Sequence, residues 1–356
     1  MDIVFNIAEG CGGENRESQT PALLEFLGIP YTGSNATTLA IALDKAKTKR
    51  LLRYEGISTP PFQLFVTGDE PLDPRLQFPL IVKPNREGSA KGIGVDSVVR
   101  NESSLRAQVR RIATAYRQET LVEEFIEGTE LTVGVLDDGV WSALPHSPGS
   151  VGRTAAVGVP IGFHGDCSMP SASIPESGAL PVLEIDFSSC RASGEYFYSW
   201  RMKEYQGDAA QGLAPHLYCP ARLTPETARR VQELAVRAHR ALGCYDVSRT
   251  DIRLRHDGTP FVLEVNPLPG LDPTESNLPF IANGAGLSYP QLINGILVSA
   301  VDRHLAHAMG LAGRVAAGTD VWLREDRAGR PHNAIPTRAQ LEPTMSVAPA
   351  VPDDAG

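Results

Sequence analysis

The sequence predicts a protein of the α+β class, because strand patterns and helix patterns follow one another along its 356 residues. The clearest strand pattern covers 249–266, where alternating polar and apolar residues flank an Asp-Gly turn at 257–258. The clearest helix pattern covers 224–243, which opens on Thr-Pro and closes on glycine. A short apolar strand, PLIVKP at 79–84, adds a second region of sheet.

The first part of the chain contains one predicted strand and two predicted helices. Residues 3–8 (IVFNIA) form an apolar run that is typical of a buried strand. One helix is expected over about 17–27, where a glycine ends it, and a second over 35–56, with an asparagine cap and a glycine stop. The Thr-Pro-Pro triplet at 59–61 then interrupts the pattern and predicts a domain boundary.

The later elements are predicted in the same way. After the strand at 79–84 we expect a small-residue loop and a further strand, and then a strand, a turn and a strand over 121–136. Residues 143–195, rich in Ser, Pro and Gly, predict short strands mixed with a mobile loop. The helix after Thr224 has an apolar stripe made of Val231, Leu234, Ala235, Ala238 and Leu242. A last helix is expected near 289–309, and beyond it the pattern predicts a poorly packed tail.

Composition and charge exclude several classes of protein. The chain is 42% hydrophobic and 21% charged, as expected for an ordinary globular protein. Its net charge is −9 and it has no dense Lys/Arg run, so neither a nucleic-acid nor a membrane partner is predicted. The N-terminus lacks the features of a signal peptide, and the cysteines are odd in number without CxxC spacing. We therefore expect a cytoplasmic protein without a disulfide framework or a zinc site; the cysteines are Cys11, Cys167, Cys190, Cys219 and Cys244.

The register of the hairpin follows from its turn. Placing a two-residue type I′ turn at 257–258 pairs His256 with Thr259. Counting back along the ladder sets Asp251 opposite Glu264, and Arg249 opposite Asn266. The polar face of the hairpin then gathers Arg249, Asp251, Arg253, Glu264 and Asn266. The opposite face is predicted to be a core face made of Ile252, Leu254, Phe261, Leu263 and Val265.

The polar face predicts a site for a hard cation. Two carboxylates and an amide, in Asp251, Glu264 and Asn266, are oxygen donors of the kind that Mg²⁺ prefers. The alternative is a solvated strand face with surface ion pairs. The direct continuation into the Pro-Leu-Pro-Gly turn at 267–270 favours a functional site.

The loop NREGSAKGIG at 85–94 is a candidate anion site. Its small residues let backbone N–H groups approach a phosphate, and Lys83 and Lys91 add positive charge. The loop lacks both the Walker pattern and the GxGxxG spacing, and an ordinary hairpin turn is the competing interpretation. Metal-binding carboxylates together with a lysine-bearing loop indicate nucleoside triphosphate chemistry, in which a cation bridges phosphate oxygens.

The chain resembles the D-alanine–D-alanine ligase branch of the ATP-grasp superfamily. The resemblance covers about 1–135 and 195–300, and its motifs occur in the family's order. They are GGEN at 12–15, LGIPYTGS at 27–34, ALDKAKTK at 42–49, VKPNREGSAKGIG at 82–94, VEEFIEGTELTV at 122–133, RTD at 249–251 and EVNPLPG at 264–270.

The resemblance implies an ATP-grasp fold in which two subdomains clasp ATP, preceded by a shortened α/β N-terminal domain. The implied division is an N-terminal domain over 1–58, a small subdomain over 59–135 and a large subdomain over 136–310. A poorly ordered tail would follow over 311–356. The implied activity is ATP-dependent carboxylate–amine ligation through an acyl phosphate, with amino acids as small-molecule substrates and a homodimer as one option.

The resemblance also implies roles for individual residues. Phosphate contacts would come from Lys45, Lys83 and Lys203, adenine contacts from Glu123, Glu124, Phe125 and Ile126, and a ribose contact from Glu130. Two Mg²⁺ ions, with Mn²⁺ as an alternative, would be held by Asp251, Glu264 and Asn266. The oxyanion would be stabilised by Arg249 and Gly270, the substrates would meet Glu14 and Ser276, and Ser89 would help to close the site. Plainer alternatives remain: Glu14 as a solvated turn residue, Glu130 as a surface charge, and Lys45 as a solvent-facing helix residue.

Three departures from the family pattern concern the substrates. About fifty residues that the family carries before this start are absent, so we expect either a misassigned start or an incomplete first-substrate pocket. Glu204 stands where the family has a tyrosine, with Tyr205 beside it, and Ala90 replaces a frequent serine. Residues 143–195 are longer than the family pattern. A specialised dipeptide or amino-acid ligase, or a catalytically silent ATP-binding homologue, therefore stay open as alternatives.

Overall fold

Two antiparallel sheets organise the chain, which we describe from a computed structural model over residues 2–137, 178–205 and 212–308. The strands are β1 Phe62–Phe65, β2 Leu80–Pro84, β3 Val98–Val99, β4 Thr120–Glu124, β5 Gly128–Leu136, β6 Leu183–Asp186, β7 His216–Tyr218, β8 Val247–Arg255 and β9 Pro260–Asn266. The helices are α1 Arg16–Leu27, α2 Ala36–Leu43, α3 Lys45–Tyr54, α4 Glu102–Tyr116, α5 Trp200–Glu204, α6 Pro225–Leu242, α7 Asn277–Gly284 and α8 Tyr289–Ala308. The predicted α+β class is confirmed.

The smaller sheet has four strands in the order β1-β4-β2-β3. Helix α4 begins where the Asn101 side chain accepts a hydrogen bond from the backbone N–H of Ser104, which satisfies one of the open donors of the first turn. Its apolar face packs on the sheet. The core between them contains Phe65, Leu80, Val82, Val99, Leu105, Val109, Ile112 and Val122.

The larger sheet has five strands in the order β7-β6-β5-β8-β9. Helix α6 covers one face and has the predicted ends, with Thr224 as its cap and Gly243 in the left-handed region at φ 66°. All five residues of its predicted apolar stripe are buried in this core. The sheet and its helix therefore form as the sequence pattern indicates.

The hairpin between β8 and β9 has the predicted pairing at the site but a different turn. Asp251 lies opposite Glu264 and Arg249 opposite Asn266, as predicted. The prediction of a two-residue type I′ turn is wrong, because Arg255 pairs with Thr259 around a three-residue loop in which Gly258, at φ 82°, has positive φ. A bulge in β9 adds one residue between the pairs Ile252–Val262 and Asp251–Glu264. The wider turn and the bulge offset each other, which restores the register at the polar residues.

The bulge also changes which side chains of β9 reach the core. Val262 is fully buried in the core, whereas Phe261 and Leu263, predicted as core residues, are only half-buried. The prediction is confirmed for Ile252, Leu254 and Val265, which lie outside the displaced segment. Alternation with period two fails across a bulge, since the extra residue shifts the faces by one position.

Three further expectations are corrected. Residues 3–8 form no extended strand in the described structure, where only Val4 makes an isolated bridge to Tyr31. The helix expected over 35–56 is divided at Asp44, whose side chain accepts from the N–H of Lys47 and so starts a second helix. The strand expected after the loop at 85–94 is only two residues long and follows a 3₁₀ turn.

The chain passes from the smaller to the larger sheet between β4 and β5. The sequence predicted these two strands as a single strand-turn-strand unit. These strands join different sheets, and the change of sheet lies at Gly128 rather than after residue 135. The helix expected near 289–309 is confirmed as α8. Residues 143–177 and the tail at 311–356 lie outside the described residues. Within the described part of the chain, no helix is both long enough and apolar enough to cross a membrane.

Candidate functional site

Two adjoining cavities lie between the sheets. The first has a cavity volume of about 110 Å³ and the second about 480 Å³. Their shared wall contains charged side chains from separate elements, namely Lys45, Glu87, Lys203, Arg249 and Glu264. A ligand in either cavity would therefore reach the same charged groups.

The first cavity is lined by both apolar and charged side chains. Its apolar lining includes Ile81, Ile126, Leu131, Phe197 and Leu263. The segment predicted to meet adenine, Glu123 to Ile126, forms one side of this cavity. Apolar side chains beside charged ones suit a ligand that joins a flat heteroaromatic ring to charged groups.

Glu130 lines the first cavity beside Arg253. Their charged groups are 3.2 Å apart, and both side chains are buried or nearly so. Burial raises the pKa of Glu130, although the charge of Arg253 opposes that rise. Arg253 also donates to the backbone oxygen of Gly128 and lies 5.0 Å from the ring centre of Phe125. Arg253 therefore holds the carboxylate and the aromatic wall together.

Lys83 lines the first cavity and belongs to a buried ion-pair cluster. Its Nζ is 2.5 Å from Oε1 of Glu123, whose Oε2 is 2.7 Å from Nζ of Lys49. Burial raises the pKa of Glu123, but the two ammonium groups outweigh it and hold that pKa below its ordinary value. Burial also lowers the pKa of Lys49 to about 8.

Lys45 begins helix α3 and reaches the junction of the cavities. Its Nζ donates to the backbone oxygen of Glu87 at 2.5 Å and lies 3.4 Å from Oε2 of Glu264. The loop that it touches contains Ser89 and Ala90, with φ of 52° and 53°. Two neighbouring non-glycine residues in the left-handed region are uncommon, and such strain concentrates at ligand-binding loops.

The predicted oxygen donors come together on the hairpin. Oδ1 of Asp251 accepts from Nε of Arg249 at 3.0 Å and from the hydroxyl of Thr132 at 2.7 Å. Its Oδ2 accepts from Nδ2 of Asn266 at 3.1 Å, and the paired strand brings Glu264 opposite. Among the described residues no set of three or more His, Cys, Asp or Glu side chains could hold a metal. Two carboxylates and an amide still suit a hard cation that also binds phosphate oxygens.

Charges around Glu264 favour its ionised form. Burial raises the pKa of Glu264, but Lys45, Lys203, Lys83 and Arg249 together hold it well below its ordinary value. Burial lowers the pKa of Arg249, but its pairing with Asp251 and the charge of Glu264 together outweigh burial and raise that pKa above its ordinary value. The guanidinium therefore stays charged. At the junction of the cavities the Glu264 carboxylate is therefore surrounded by four cationic side chains, which could also attract a phosphate.

Lys203 stands on the short helix α5 and lines both cavities. Its Nζ lies 5.4 Å from the ring centre of Tyr198, which also lines both. Burial, followed by the charge of Arg249, lowers the pKa of Lys203. Glu204, which stands where the family has a tyrosine, is exposed and lines the second cavity.

The second cavity holds most of the residues expected to meet substrates. Ser89, Gly270 and Ser276 line it, and the Ser276 hydroxyl accepts from the N–H of Asp272 at 3.0 Å. Glu14 does not line it; its side chain is 73% exposed, and it lies 3.4 Å from Arg86.

Sequence reasoning missed several residues of these cavities. Glu9 and Glu17 line the second cavity in the region where Glu14 was expected, and burial raises the pKa of Glu17. Glu9 adjoins the GGEN motif and Glu17 lies in the first turn of α1, so proximity to the motif was their only signal. Lys49 lies inside the ALDKAKTK motif, but a lone helical lysine is usually exposed.

The chain is similar to proteins of known class. A family model described as D-ala D-ala ligase C-terminus matches residues 51–149 and 177–298. The uncharacterized protein y4sG of Sinorhizobium fredii is 33% identical over 307 residues, covering 86% of this chain and 77% of that protein. The D-alanine–D-alanine ligase of Delftia acidovorans is 35% identical over 303 residues, covering 84% and 76%. The structure of D-alanine–D-alanine ligase from Bacillus anthracis complexed with ATP has a TM-score of 0.58 at 26% identity, covering 84% of this chain and 78% of that one.

Proposed function

Because the chain belongs to the D-alanine–D-alanine ligase family, we propose that it joins two amino acids where its two cavities meet. Family membership makes it an ATP-grasp protein and an ATP-dependent ligase that forms C–N bonds. One observation carries the proposed placement: Lys45, Lys203, Arg249 and Glu264 line both cavities. A phosphate entering from one side and a carboxylate entering from the other would meet at these charges.

ATP would occupy the first cavity. The adenine would lie along the backbone of 123–126, since both carboxylate oxygens of Glu123 are taken by lysines. Glu130 would accept from the ribose hydroxyls at the opposite wall. The phosphates would extend toward Lys83, Lys45 and Lys203, whose charges offset the polyanion.

Divalent metal ions would be held by the oxygens of Asp251, Glu264 and Asn266. We propose two Mg²⁺ ions, with Mn²⁺ as an alternative, because the donors are hard oxygens on paired strands. When bound, these ions neutralise phosphate charge and align the γ-phosphate for attack. Arg249 would lie beside the metal site rather than in it, since a guanidinium is no metal ligand.

The reaction would proceed in two steps. A carboxylate oxygen of the first amino acid attacks the γ-phosphorus, the bond to the bridging oxygen breaks, and ADP leaves. The uncharged amine of the second amino acid then attacks the acyl carbon, the carbon–oxygen bond to phosphate breaks, and phosphate departs with the proton that the amine loses. Arg249 and the backbone N–H of Gly270 would stabilise the oxyanion that forms in this second step.

The substrates would lie in the second cavity. Ser89 stands on the loop over the phosphates and would help to close the site, while Ser276 would contact the carboxylate of the second amino acid. The exposed position of Glu14 suits a substrate contact only if its loop moves inward, because it now pairs with Arg86. We propose a cytoplasmic location, where ATP and free amino acids are available, and a homodimer as the assembly.

A direct test is phosphate release from ATP in the presence of D-alanine, with a mass spectrum of the product. We expect release that depends on the amino acid, and a dipeptide as product. Because Glu204, Glu9 and Glu17 face the second cavity, the same assay should include mixed amino acids and simple amines. Stabilisation by ATP without turnover on any amino acid or amine pair would contradict the ligase proposal and indicate a silent homologue.

A further inference from the structure

We propose that Lys49 is a positioning residue, which keeps Lys83 available to ATP by occupying one oxygen of the Glu123 carboxylate between them. The proposal rests on the proposed placement of ATP in the first cavity. Lys49 lines neither cavity, so it would act on the nucleotide only through its neighbours.

The side chain of Lys49 is completely buried. Its Nζ lies 2.7 Å from Oε2 of Glu123 and donates to the hydroxyl of Thr59 at 2.8 Å. That hydroxyl in turn donates to the backbone oxygen of Val262 in β9 at 2.8 Å. Lys49 therefore ties helix α3, the small sheet and the hairpin at a single atom.

The contacts of Lys49 do not by themselves require a charge. Removing a charge from water is costly, and that cost is compensated only where a partner and hydrogen bonds satisfy the buried group. If Lys49 were replaced by methionine, Glu123 would still be paired with Lys83 and no unpaired charge would be left. The charge of Lys49 thus calls for a functional explanation.

The charge count of the cluster supplies that explanation. Lys49, Glu123 and Lys83 together carry a net charge of about +1, because two ammonium groups share one carboxylate. The positive charge that remains is carried at the cavity by Lys83, since Lys49 is enclosed. Without Lys49, the negative charge of Glu123 would cancel the positive charge of Lys83. The cluster would then be neutral and would not attract a phosphate.

The arrangement also links Lys49 to the other phosphate lysine. Lys45 lies one helical turn before it on α3 and reaches the junction of the cavities. Helix α3 carries Lys45 itself, whereas it influences Lys83 only through the contact between Lys49 and Glu123. One helix thereby sets two of the positive charges that face the nucleotide.

The test is calorimetric titration of the full-length protein with Mg²⁺ and a non-hydrolysable ATP analogue. We expect about tenfold weaker binding in Lys49→Met, equivalent to about 1.4 kcal/mol. Lys49→Gln retains polar contacts to Glu123 and Thr59 but loses the charge, and it should weaken binding to the same extent. Lys47→Met is the matched control, because Lys47 is 57% exposed on the same helix and should leave binding unchanged.

A double variant separates this role from a structural one. Adding Glu123→Gln to Lys49→Met restores the net charge of about +1, and binding should recover to within about threefold of wild type. A structural defect would instead lower the melting temperature of Lys49→Met, which is measured beside the binding and is not expected to fall in step with it. Wild-type affinity in Lys49→Met or Lys49→Gln, or no recovery in the double variant, would overturn the proposal. Absence of nucleotide binding by the wild-type protein would instead overturn the proposed function itself.

Discussion

Replacing Glu264 with glutamine should separate the chemistry of the junction from the stability of the fold. The carboxylate lies 3.4 Å from Nζ of Lys45, a distance at which two unit charges attract by about 5 kcal/mol at an effective dielectric constant of 20. The side chain is 27% exposed, however, and solvent reduces the net worth of such a pair to about 1 kcal/mol. We therefore expect the free energy of unfolding to fall by no more than about 1 kcal/mol.

Turnover should fall much further in the same variant. Glu264 faces four cations and the proposed metal ions, so its charge acts where negative charge develops during phosphoryl transfer. Removing one preorganised electrostatic group from an active site costs about 10²–10³-fold in rate. We expect a decrease of that order in amino-acid-stimulated phosphate release, while thermal unfolding shifts by only about 2–4 °C.

The matched control for this variant is Glu127→Gln. Glu127 is exposed in the loop before β5 and lines neither cavity, so its replacement should leave both turnover and unfolding unchanged. Wild-type turnover in Glu264→Gln would refute the placement of the site on the hairpin. An equal loss in both variants would show that the effect is not specific to the junction.

Three other perturbations test separate features. Gly270→Ala places a Cβ 2.7 Å from Oγ of Ser276, so kcat should fall by about tenfold; unchanged kcat would contradict the close approach. Because burial lowers the pKa of Lys49 to about 8, its ammonium loses charge as pH rises from 7 to 9. Affinity for ATP should therefore fall over that range, less steeply in Lys49→Met, and parallel titration curves would contradict this. Val262→Ala should lower the free energy of unfolding by about 1.5–3 kcal/mol, because Val262 is fully buried. Leu263→Ala should lower it by less but should weaken ATP binding, because Leu263 lines the first cavity. A larger loss of stability in Leu263→Ala than in Val262→Ala would argue against the bulge.

The polar face of the hairpin could be predicted because the pairing is set by local rules. Asp251 and Glu264 lie opposite each other as expected, although the turn and the bulge both differ from the prediction. The bulge at Leu263 has no signal of its own in the sequence, since its neighbours are strand formers on either interpretation. The core assignment therefore failed at Phe261 and Leu263.

Contacts between distant elements were beyond sequence reasoning. Lys49 and Glu123 are 74 positions apart, and their pairing depends on how helix α3 packs against the small sheet. Arg253 was placed on the correct face, but its partner Glu130 lies on a different strand. Glu14 was expected in the substrate pocket from its motif, and whether it contacts substrate stays a prediction. Patterns of two or three residues identify elements, whereas burial and charge sharing arise only from the assembled structure.

Isotope transfer from substrate to phosphate tests the central claim most directly. D-alanine, or whichever amino acid supports turnover, is supplied with both carboxylate oxygens labelled with ¹⁸O, and the released phosphate is analysed by mass spectrometry. Attack of the carboxylate on the γ-phosphorus predicts one ¹⁸O atom in each phosphate released and one in the dipeptide carbonyl. Phosphate released without label would mean that water attacks ATP and that no acyl phosphate forms at the junction of the cavities.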